Sequence, residues 1–520
     1  MKKTKIFMLL SIFILAFLVS GCDIKEVIAE LDKDPQKVIN RIEQNSERLP
    51  SESYKKDWTI MIYGSCDIEP QLEKALLQEL VEMVNIGNAN DKIHLVAQID
   101  FRNAKYIKSK RYFIKKNELH VRGEFSNFNM GDPKTFEDFL KWGMSYKSEK
   151  TMLYVLGHGT GWISLAGPGA ITDGLRNIAA TRDPAFSDVN TSKLLKTKDL
   201  YPTEMYPSTR SFAYDHTQDD SLTLKEASSV FDRVLRGKRI DVLAFRSCLM
   251  NQLETAYEFS KHFDYFVTTQ TSQLGVAQGI MTSILGVNNI GLDATVLRAV
   301  KDSDTPISSR EMAKNMFTSV KNTNVKIIES VGEGFAFSAQ CLDLRMLRRA
   351  VEPMKEFTYI INRNLANPRT GSSFRNMLFS ARAQSVKFGG LFAGMYNEQN
   401  EEEDYEYMDL GMFMRNISLY NDNNINGATM ETLKELSQNV RATLDRACVD
   451  KYTSGYDFGG ITSGGVTSIF MFPESEKLEK VYSQLISSKY AELDFSIETG
   501  WDKVLNRLYS SQRKDGYINY

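Results

Sequence analysis

The chain has 520 residues, of which 42% are hydrophobic and 25% charged, and its formal net charge at pH 7 is −2. This composition is typical of globular protein, and the length predicts more than one compact unit. The near-neutral charge gives no support to nucleic-acid binding or to a polybasic membrane patch. The five cysteines show no CxxC spacing, which argues against a structural zinc site and against a disulfide scaffold.

The N-terminus has the layout of a secretory signal peptide. In residues 1–21 a basic start is followed by an apolar run from Ile6 to Val19, which is short for a membrane-spanning helix. The tetrapeptide VSGC, which ends at Cys22, resembles a bacterial lipobox. We therefore expect cleavage before Cys22, a lipid on its thiol, and a protein held at a membrane of the cell envelope outside the cytoplasm. A plain signal peptide or an uncleaved anchor is the alternative.

A polar tether follows the lipidation site. Residues 22–56 are mostly polar, and apolar side chains between residues 24 and 48 recur with a helical period. The pattern predicts an amphipathic helix within this segment.

Strand and helix patterns alternate from residue 57 onward. Strongly apolar segments predict strands, and amphipathic patterns between them predict helices; the strands are 58–63, 93–99, 151–156 and 240–245. Continuously apolar strands separated by helices are typical of a parallel sheet covered on both faces. We therefore predict an α/β core over residues 57–300, followed by a C-terminal α+β region over 301–520.

Residues 159–212 interrupt this alternation. The stretch is rich in Gly, Pro, Ser, Thr and Asp and shows little periodicity, which is unusual for a segment of this length inside a compact domain. We expect a surface insertion that is open to proteolytic processing. A permanently intact insertion is the alternative.

Two predicted strands end in reactive side chains. In LGHGTGW, His158 stands between two glycines, and IDVLAFRSC ends at Cys248. Because sites gather at the carboxyl ends of parallel strands, the two residues could meet as a nucleophile and its base. The amides of Gly159 and Cys248 could then hold an oxyanion. A helix predicted to begin directly after Cys248 would favour its thiolate.

Other residues compete for these roles. Cys66 also follows a strand and is the rival nucleophile, whereas Cys341 and Cys448 fall in helical patterns and are expected to be structural. A lone buried cysteine is usually inert core, and a histidine between glycines is often a turn residue. His216 could bind a metal with neighbouring aspartates, but the pattern is weak, and no metal site is predicted.

Several stretches resemble, in chain order, the clostripain family of cysteine peptidases, whose members share a caspase-like fold. They are WTIMIYGSCDIEPQLEKALLQELVEM, LGHGTGW, IDVLAFRSCLMNQLETAYEF, GVTSIFMFP and YAELDFSIETGWDKVLNRLY. The resemblance covers about residues 56–510. The resemblance implies a mostly parallel, caspase-like sheet with helices on both faces and a secreted cysteine endopeptidase that cleaves peptide or protein substrates. It implies His158 and Cys248 as the catalytic dyad. The chemistry requires no cofactor; some relatives depend on calcium, and this sequence shows no calcium loop. The sequence does not indicate an oligomeric state.

The sequence departs from the family at Arg246. Members typically carry Asp two residues before the catalytic cysteine, where it helps a specificity pocket to receive Arg or Lys. Residues two apart on a strand share a side, so we expect Arg246 to lie about 7 Å from Cys248. Cleavage after Arg or Lys should then be lost in favour of acidic or neutral residues, unless an acid such as Asp67 neutralises the guanidinium. A catalytically inactive surface-binding lipoprotein on the same scaffold, or a transpeptidase, is the alternative.

Overall fold

The computed structural model describes most of the globular part of the chain, namely residues 43–44, 55–67, 79–81, 83–101, 109–125, 128–162, 211–215, 217–218, 220–271, 273, 296–331, 336–388, 406–471, 486–487 and 489–510. The signal peptide, Cys22, His216 and most of the insertion at 159–212 lie outside these residues, so the predictions made for them stay predictions. Within the described residues, every helix is too short or too polar to cross a membrane.

The described strands are numbered in chain order: β1 (Glu43–Gln44), β2 (Lys56–Cys66), β3 (Ile93–Phe101), β4 (Ser109–Lys115), β5 (Glu118–Phe125), β6 (Ser148–Leu156), β7 (Phe212–Asp215), β8 (Asp220–Leu222), β9 (Ile240–Arg246), β10 (Phe263–Thr269), β11 (Phe337–Asp343), β12 (Lys387–Phe388), β13 (Tyr407–Asp409), β14 (Cys448–Ser454) and β15 (Ser468–Phe470). Ten of them form one sheet in the order β1-β5-β4-β3-β2-β6-β9-β10-β11-β14. The remainder form a three-stranded sheet, β12-β13-β15, and the hairpin β7-β8.

The described helices flank this sheet: α1 (Pro133–Gly143), α2 (Leu224–Leu235), α3 (Leu253–Phe259), α4 (Arg298–Asp302), α5 (Ser309–Val331), α6 (Leu344–Leu347), α7 (Val351–Leu365), α8 (Gly371–Ala383), α9 (Leu410–Leu419), α10 (Gly427–Ala447), α11 (Asp494–Thr499) and α12 (Trp501–Ser510). Residues 79–81 and 83–86 are also helical. The start of α2 shows how local sequence sets a boundary. Thr223 and Glu226 cap it reciprocally, as its TxxE pattern predicts.

The centre of the large sheet is parallel. The strands β3, β2, β6, β9 and β10 pair in parallel with one another in that order. The next strand, β4, pairs antiparallel with β3 and with β5. Side chains alternate between the two faces, and both faces are buried under helices. The sequence prediction of an α/β fold with a mostly parallel sheet and helices on both faces is therefore confirmed.

The C-terminal part of the chain extends the same sheet. β11 pairs antiparallel with β10 on one side and with β14 on the other. The prediction that Cys341 and Cys448 lie in helices was therefore wrong, because Cys341 is in β11 and Cys448 begins β14. The segment Phe337–Leu342 is buried along its whole length, so its apolar residues do not distinguish a strand from a helix.

One short strand replaces part of the helix predicted for the tether. Glu43 and Gln44 form β1, which pairs in parallel with β5 at the sheet edge. The carboxylate of Glu43 lies 2.7 Å from the Lys110 ammonium and accepts a hydrogen bond of 2.9 Å from the Tyr112 hydroxyl. The partners of β1 lie on β4 and β5, which are distant from it in sequence. The helical period of the local sequence could therefore not reveal this strand.

A buried glutamate joins α3 to the three-stranded sheet and to the C-terminal end of the chain. Glu254, in the first turn of α3, accepts hydrogen bonds from the Phe470 N–H at 2.8 Å and from the Tyr490 hydroxyl at 2.7 Å. Burial raises the pKa of this carboxyl to about 7, which keeps a proton on it closer to neutral pH than is usual for glutamate. Trp501 completes the connection by donating from Nε1 to the Phe470 carbonyl at 2.9 Å.

Candidate active site

The pairing of β6 with β9 sets the geometry of the site. These neighbouring strands are parallel, and their last paired residues are Leu156 and Arg246. His158 and Cys248 each lie two residues beyond that pair, at the carboxyl edge of the sheet. Since paired strands lie about 4.8 Å apart, the two chains leave the sheet side by side. The structure thus brings the two residues singled out from sequence to adjacent positions on one edge.

Tight backbone contacts hold the histidine loop in place. Gly157 has a φ of +134°, and its N–H donates to the Arg246 carbonyl at 3.3 Å. A Cβ at this position would lie 3.0 Å from the Ser65 carbonyl oxygen, so both the conformation and the space require glycine. His158 is 8% exposed, and its ring centroid lies 6.3 Å from that of Tyr214. The Ser65 hydroxyl donates to the Tyr214 carbonyl and so fixes the segment that carries this ring.

Gly159 joins the histidine loop to the cysteine turn. A Cβ on Gly159 would lie 2.6 Å from the Ser247 Cβ and 2.9 Å from the Cys248 carbonyl oxygen. These distances are shorter than ordinary van der Waals contact, so the backbone of Gly159 lies directly against the turn that carries Cys248. The absence of a side chain at Gly159 is therefore what allows the two loops to touch.

Cys248 lies in a turn rather than at the start of a helix. β9 ends at Arg246, Leu249 has a φ of +56°, and its N–H donates to the Thr271 carbonyl at 3.1 Å. The next helix, α3, begins only at Leu253 and has 7 residues. The prediction that a helix begins directly after Cys248 was therefore wrong, and a helix dipole next to the thiol cannot be invoked for its thiolate. The left-handed backbone at Leu249 interrupts the apparent helical pattern.

Cys248 is half-buried, and its sulfur has a backbone donor. The Gln273 N–H donates to Sγ at a nitrogen–sulfur distance of 3.2 Å. The other described cysteines have surroundings that suit neutral thiols. Cys66 is 1% exposed, burial raises the pKa of the Cys341 thiol, and burial raises the pKa of Cys448 to about 11. Cys248 therefore combines the exposure and the polar contact that a nucleophile needs.

Arg246 points away from the cysteine turn. Its guanidinium forms an ion pair with Glu79, on the face of the sheet covered by helical residues 79–81 and 83–86. The Tyr154 hydroxyl donates to Glu79 at 3.0 Å. Cys248 instead packs against the apolar cluster of the opposite face. The expectation that the two side chains share a side fails because the strand ends at Arg246 and the chain bends at Ser247. The acid that neutralises Arg246 is Glu79 rather than Asp67.

Asp67 belongs to a cluster of three buried carboxyl groups, Asp67, Asp100 and Asp215, whose nearest oxygens lie within 4.8 Å of one another. In the described residues no Lys or Arg forms an ion pair with any of them. Three carboxylates are a donor set that suits a hard cation such as Ca²⁺ or Mg²⁺. A proton bound by one of the carboxyl groups can also reduce their mutual repulsion, because burial raises the pKa of Asp100 to about 8. Sequence analysis missed this cluster because the three residues come from the ends of β2, β3 and β7.

Two further residues at the site carried no recognisable signal in the sequence. Glu79 stands in an amphipathic helical pattern as one polar residue among several, and Gln273 follows β10 without any motif. Their roles depend on contacts with β9 and with the turn that follows it, which are remote in sequence.

Comparisons with known proteins place the chain among cysteine peptidases. A model of the clostripain family matches residues 195–508, which is more than half of the chain and includes Cys248. Clostripain of Hathewaya histolytica is 26% identical over 224 residues, covering 39% of this chain and 35% of the relative. The match thus spans about a third of that relative's length.

Two solved structures of C11 cysteine proteases align with most of this chain. A secreted C11 cysteine protease of Bacteroides thetaiotaomicron, bound to an irreversible peptide inhibitor, is 14% identical with a TM-score of 0.49, covering 86% of this chain and 99% of that chain. An inactive zymogen C11 protease of Parabacteroides distasonis is 14% identical with a TM-score of 0.48, and the alignment covers 87% of this chain and 99% of that chain.

The contact at Gly159 predicts a stability change. Gly159→Ala should lower the free energy of unfolding by about 1–3 kcal/mol, because the added methyl group must displace Ser247 or the Cys248 backbone. The matched control is Gly427→Ala, where a Cβ meets no atom within 4 Å and no loss is expected. Urea unfolding of the two variants and the wild type gives the comparison. If Gly159→Ala is as stable as Gly427→Ala, the two loops do not touch as described.

Proposed function

Since the chain belongs to the clostripain family of cysteine peptidases, we propose that it is a cysteine endopeptidase in which Cys248 is the nucleophile and His158 transfers protons. The observation that carries the proposal is the end of the β6–β9 pairing. Leu156 lies opposite Arg246, so His158 and Cys248 emerge from adjacent strands at equal distances from their last pair. The contact of Gly159 with the cysteine turn supports the same arrangement.

The residues at this edge can carry out peptide hydrolysis in two steps. The Cys248 thiolate attacks the scissile carbonyl carbon, and the amides of Gly159 and Cys248 stabilise the oxyanion that forms. His158 protonates the leaving amine, which leaves an acyl group on the sulfur. His158 then removes a proton from water, and the oxygen of that water attacks the acyl carbon. The carbon–sulfur bond breaks, which releases the carboxylic acid product and restores the Cys248 thiolate. Each step uses side chains or backbone amides of the chain itself.

Replacement of either proposed catalytic residue should abolish hydrolysis of a peptide substrate. Cys248→Ala and His158→Ala should each lower kcat/KM by roughly 10³-fold or more while the fold survives, because both positions lie in loops beyond the strand ends. Cys66→Ala is the control and should retain activity. Fluorogenic peptide assays with circular dichroism of each variant provide the measurement. Turnover by Cys248→Ala together with an inactive Cys66→Ala would overturn the assignment, and an inactive wild type would favour the surface-binding alternative.

We further propose that the enzyme is not selective for Arg or Lys before the scissile bond. The acid that family members carry two residues before the cysteine is replaced by Arg246, so this position offers no carboxylate to a basic substrate side chain. The guanidinium is also paired with Glu79, which is fully buried, so its charge is compensated. An acidic substrate side chain would then gain little from Arg246. Neutral side chains are therefore the favoured class at this position.

Peptides that differ only in the residue before the scissile bond test this preference. The wild type should cleave after a neutral residue at least roughly tenfold faster than after Arg. Arg246→Ala should narrow that difference, because it leaves the Glu79 carboxylate without its partner. The double variant Arg246→Ala/Glu79→Gln removes both charges and should not narrow it. A wild type that cleaves after Arg roughly tenfold faster than after neutral residues contradicts the proposal.

We also propose that the mature protein is anchored in the cell envelope through a lipid on Cys22. The support is the sequence alone: a basic start, an apolar run and the lipobox-like VSGC. The protein from bacterial cells should partition with membranes, and mass spectrometry should find an N-terminal peptide that begins with acylated Cys22. Cys22→Ala should abolish acylation. A wild-type N-terminus that begins elsewhere and carries no lipid would refute the proposal.

A further inference from the structure

The chain beyond β10 lies against the turn that carries Cys248. The Leu249 N–H donates to the Thr271 carbonyl at 3.1 Å, and the Asn251 N–H donates to the Thr269 carbonyl at 3.0 Å. These bonds align residues 269–271 with residues 249–251. Gln273 continues the same segment and is half-buried over the turn. The nucleophile is therefore held by its own loop and also by the chain that follows the next strand.

The two contacts between Gln273 and the sulfur differ in length. Its N–H lies 3.2 Å from Cys248 Sγ, where it can donate to the sulfur. Its carbonyl oxygen lies 3.9 Å from the same sulfur, which is long even for a thiol donor. An N–H donor close to sulfur stabilises the thiolate more than the neutral thiol. The geometry at this residue thus favours the charged, nucleophilic form of Cys248.

The side chain of Gln273 fixes this backbone. Its Nε2 donates to the Phe245 carbonyl at 3.0 Å and to the Ser247 carbonyl at 3.1 Å. These two carbonyls lie on either side of Arg246, directly before the nucleophile. Nε2 also lies 3.5 Å from the Thr269 hydroxyl oxygen, so the carboxamide ties residue 273 to the end of β9, to the cysteine turn and to the end of β10.

We propose that Gln273 is a positioning residue for the nucleophile: its carboxamide binds the Phe245 and Ser247 carbonyls so that its own backbone N–H holds Cys248 as a thiolate. This inference rests on the proposed function, because it requires Cys248 to be the nucleophile. Gln273 does not contact the scissile bond in this role. It raises the fraction of thiolate near neutral pH and keeps the sulfur in one orientation.

The pH dependence of thiol alkylation tests the proposal in the full mature chain. Gln273→Met preserves the length of the side chain but removes both donors. The midpoint of iodoacetamide alkylation at Cys248, followed by peptide mass mapping, should rise by about one pH unit. Gln273→Glu places a carboxylate against the same two carbonyls and should raise the midpoint at least as much. Gln384→Met is the matched control, since that exposed glutamine directly follows α8 and its Nε2 donates to the Ser380 hydroxyl at 3.0 Å.

Peptide hydrolysis provides the second readout. In Gln273→Met, kcat/KM should fall roughly tenfold near pH 6.5, and the deficit should shrink as the pH rises and the thiol ionises without assistance. A purely structural role would lower thermal stability and reduce kcat/KM equally at every pH, with the alkylation midpoint unchanged. That result in either variant overturns the inference. An active Cys248→Ala would instead overturn the proposed function, so the two failures can be told apart.

Discussion

The pairing of β6 with β9 is the constraint on which the candidate site depends. It aligns Leu156 with Arg246 and so releases the histidine loop and the cysteine turn from the sheet at the same level. Contacts of the histidine loop with β9 and with the cysteine turn add to this alignment. Gly157 binds back to the Arg246 carbonyl, and Gly159 lies against the cysteine turn. A shift of one residue in this pairing would separate the two side chains and reverse the faces of every residue on one strand.

Three other parts of the fold support the cysteine turn. On one side, residues 269–271 and 273 bind it through backbone and side-chain hydrogen bonds. Below it, α3 is tied through Glu254 to Phe470 and Tyr490 of the C-terminal part. On the other face, Arg246 and Glu79 form a buried ion pair. Such a pair contributes little net stability compared with apolar packing, but removing one partner leaves a buried charge and is costly. The pair therefore fixes the end of β9 directly before the turn.

Much of this arrangement could be predicted from local sequence. Strand patterns that end in His158 and Cys248 implied that both lie at the carboxyl edge of a parallel sheet, because the rule depends only on connectivity. The capping pattern at Thr223 and the α/β alternation were similarly local signals. The errors came from residues whose structure depends on distant partners. Cys341 lies in a strand because β10 and β14 flank it, and Arg246 faces Glu79 because the chain bends at Ser247.

The most direct test of the central claim is the identity of the residue that reacts with a substrate-like inhibitor. The mature protein would be treated with a peptidyl acyloxymethyl ketone carrying a neutral residue next to the warhead, then digested and mapped by mass spectrometry. A single adduct on Cys248, lost in His158→Ala at neutral pH, is the predicted result. An adduct on Cys66, or equal labelling of Cys248 with and without His158, would contradict the account.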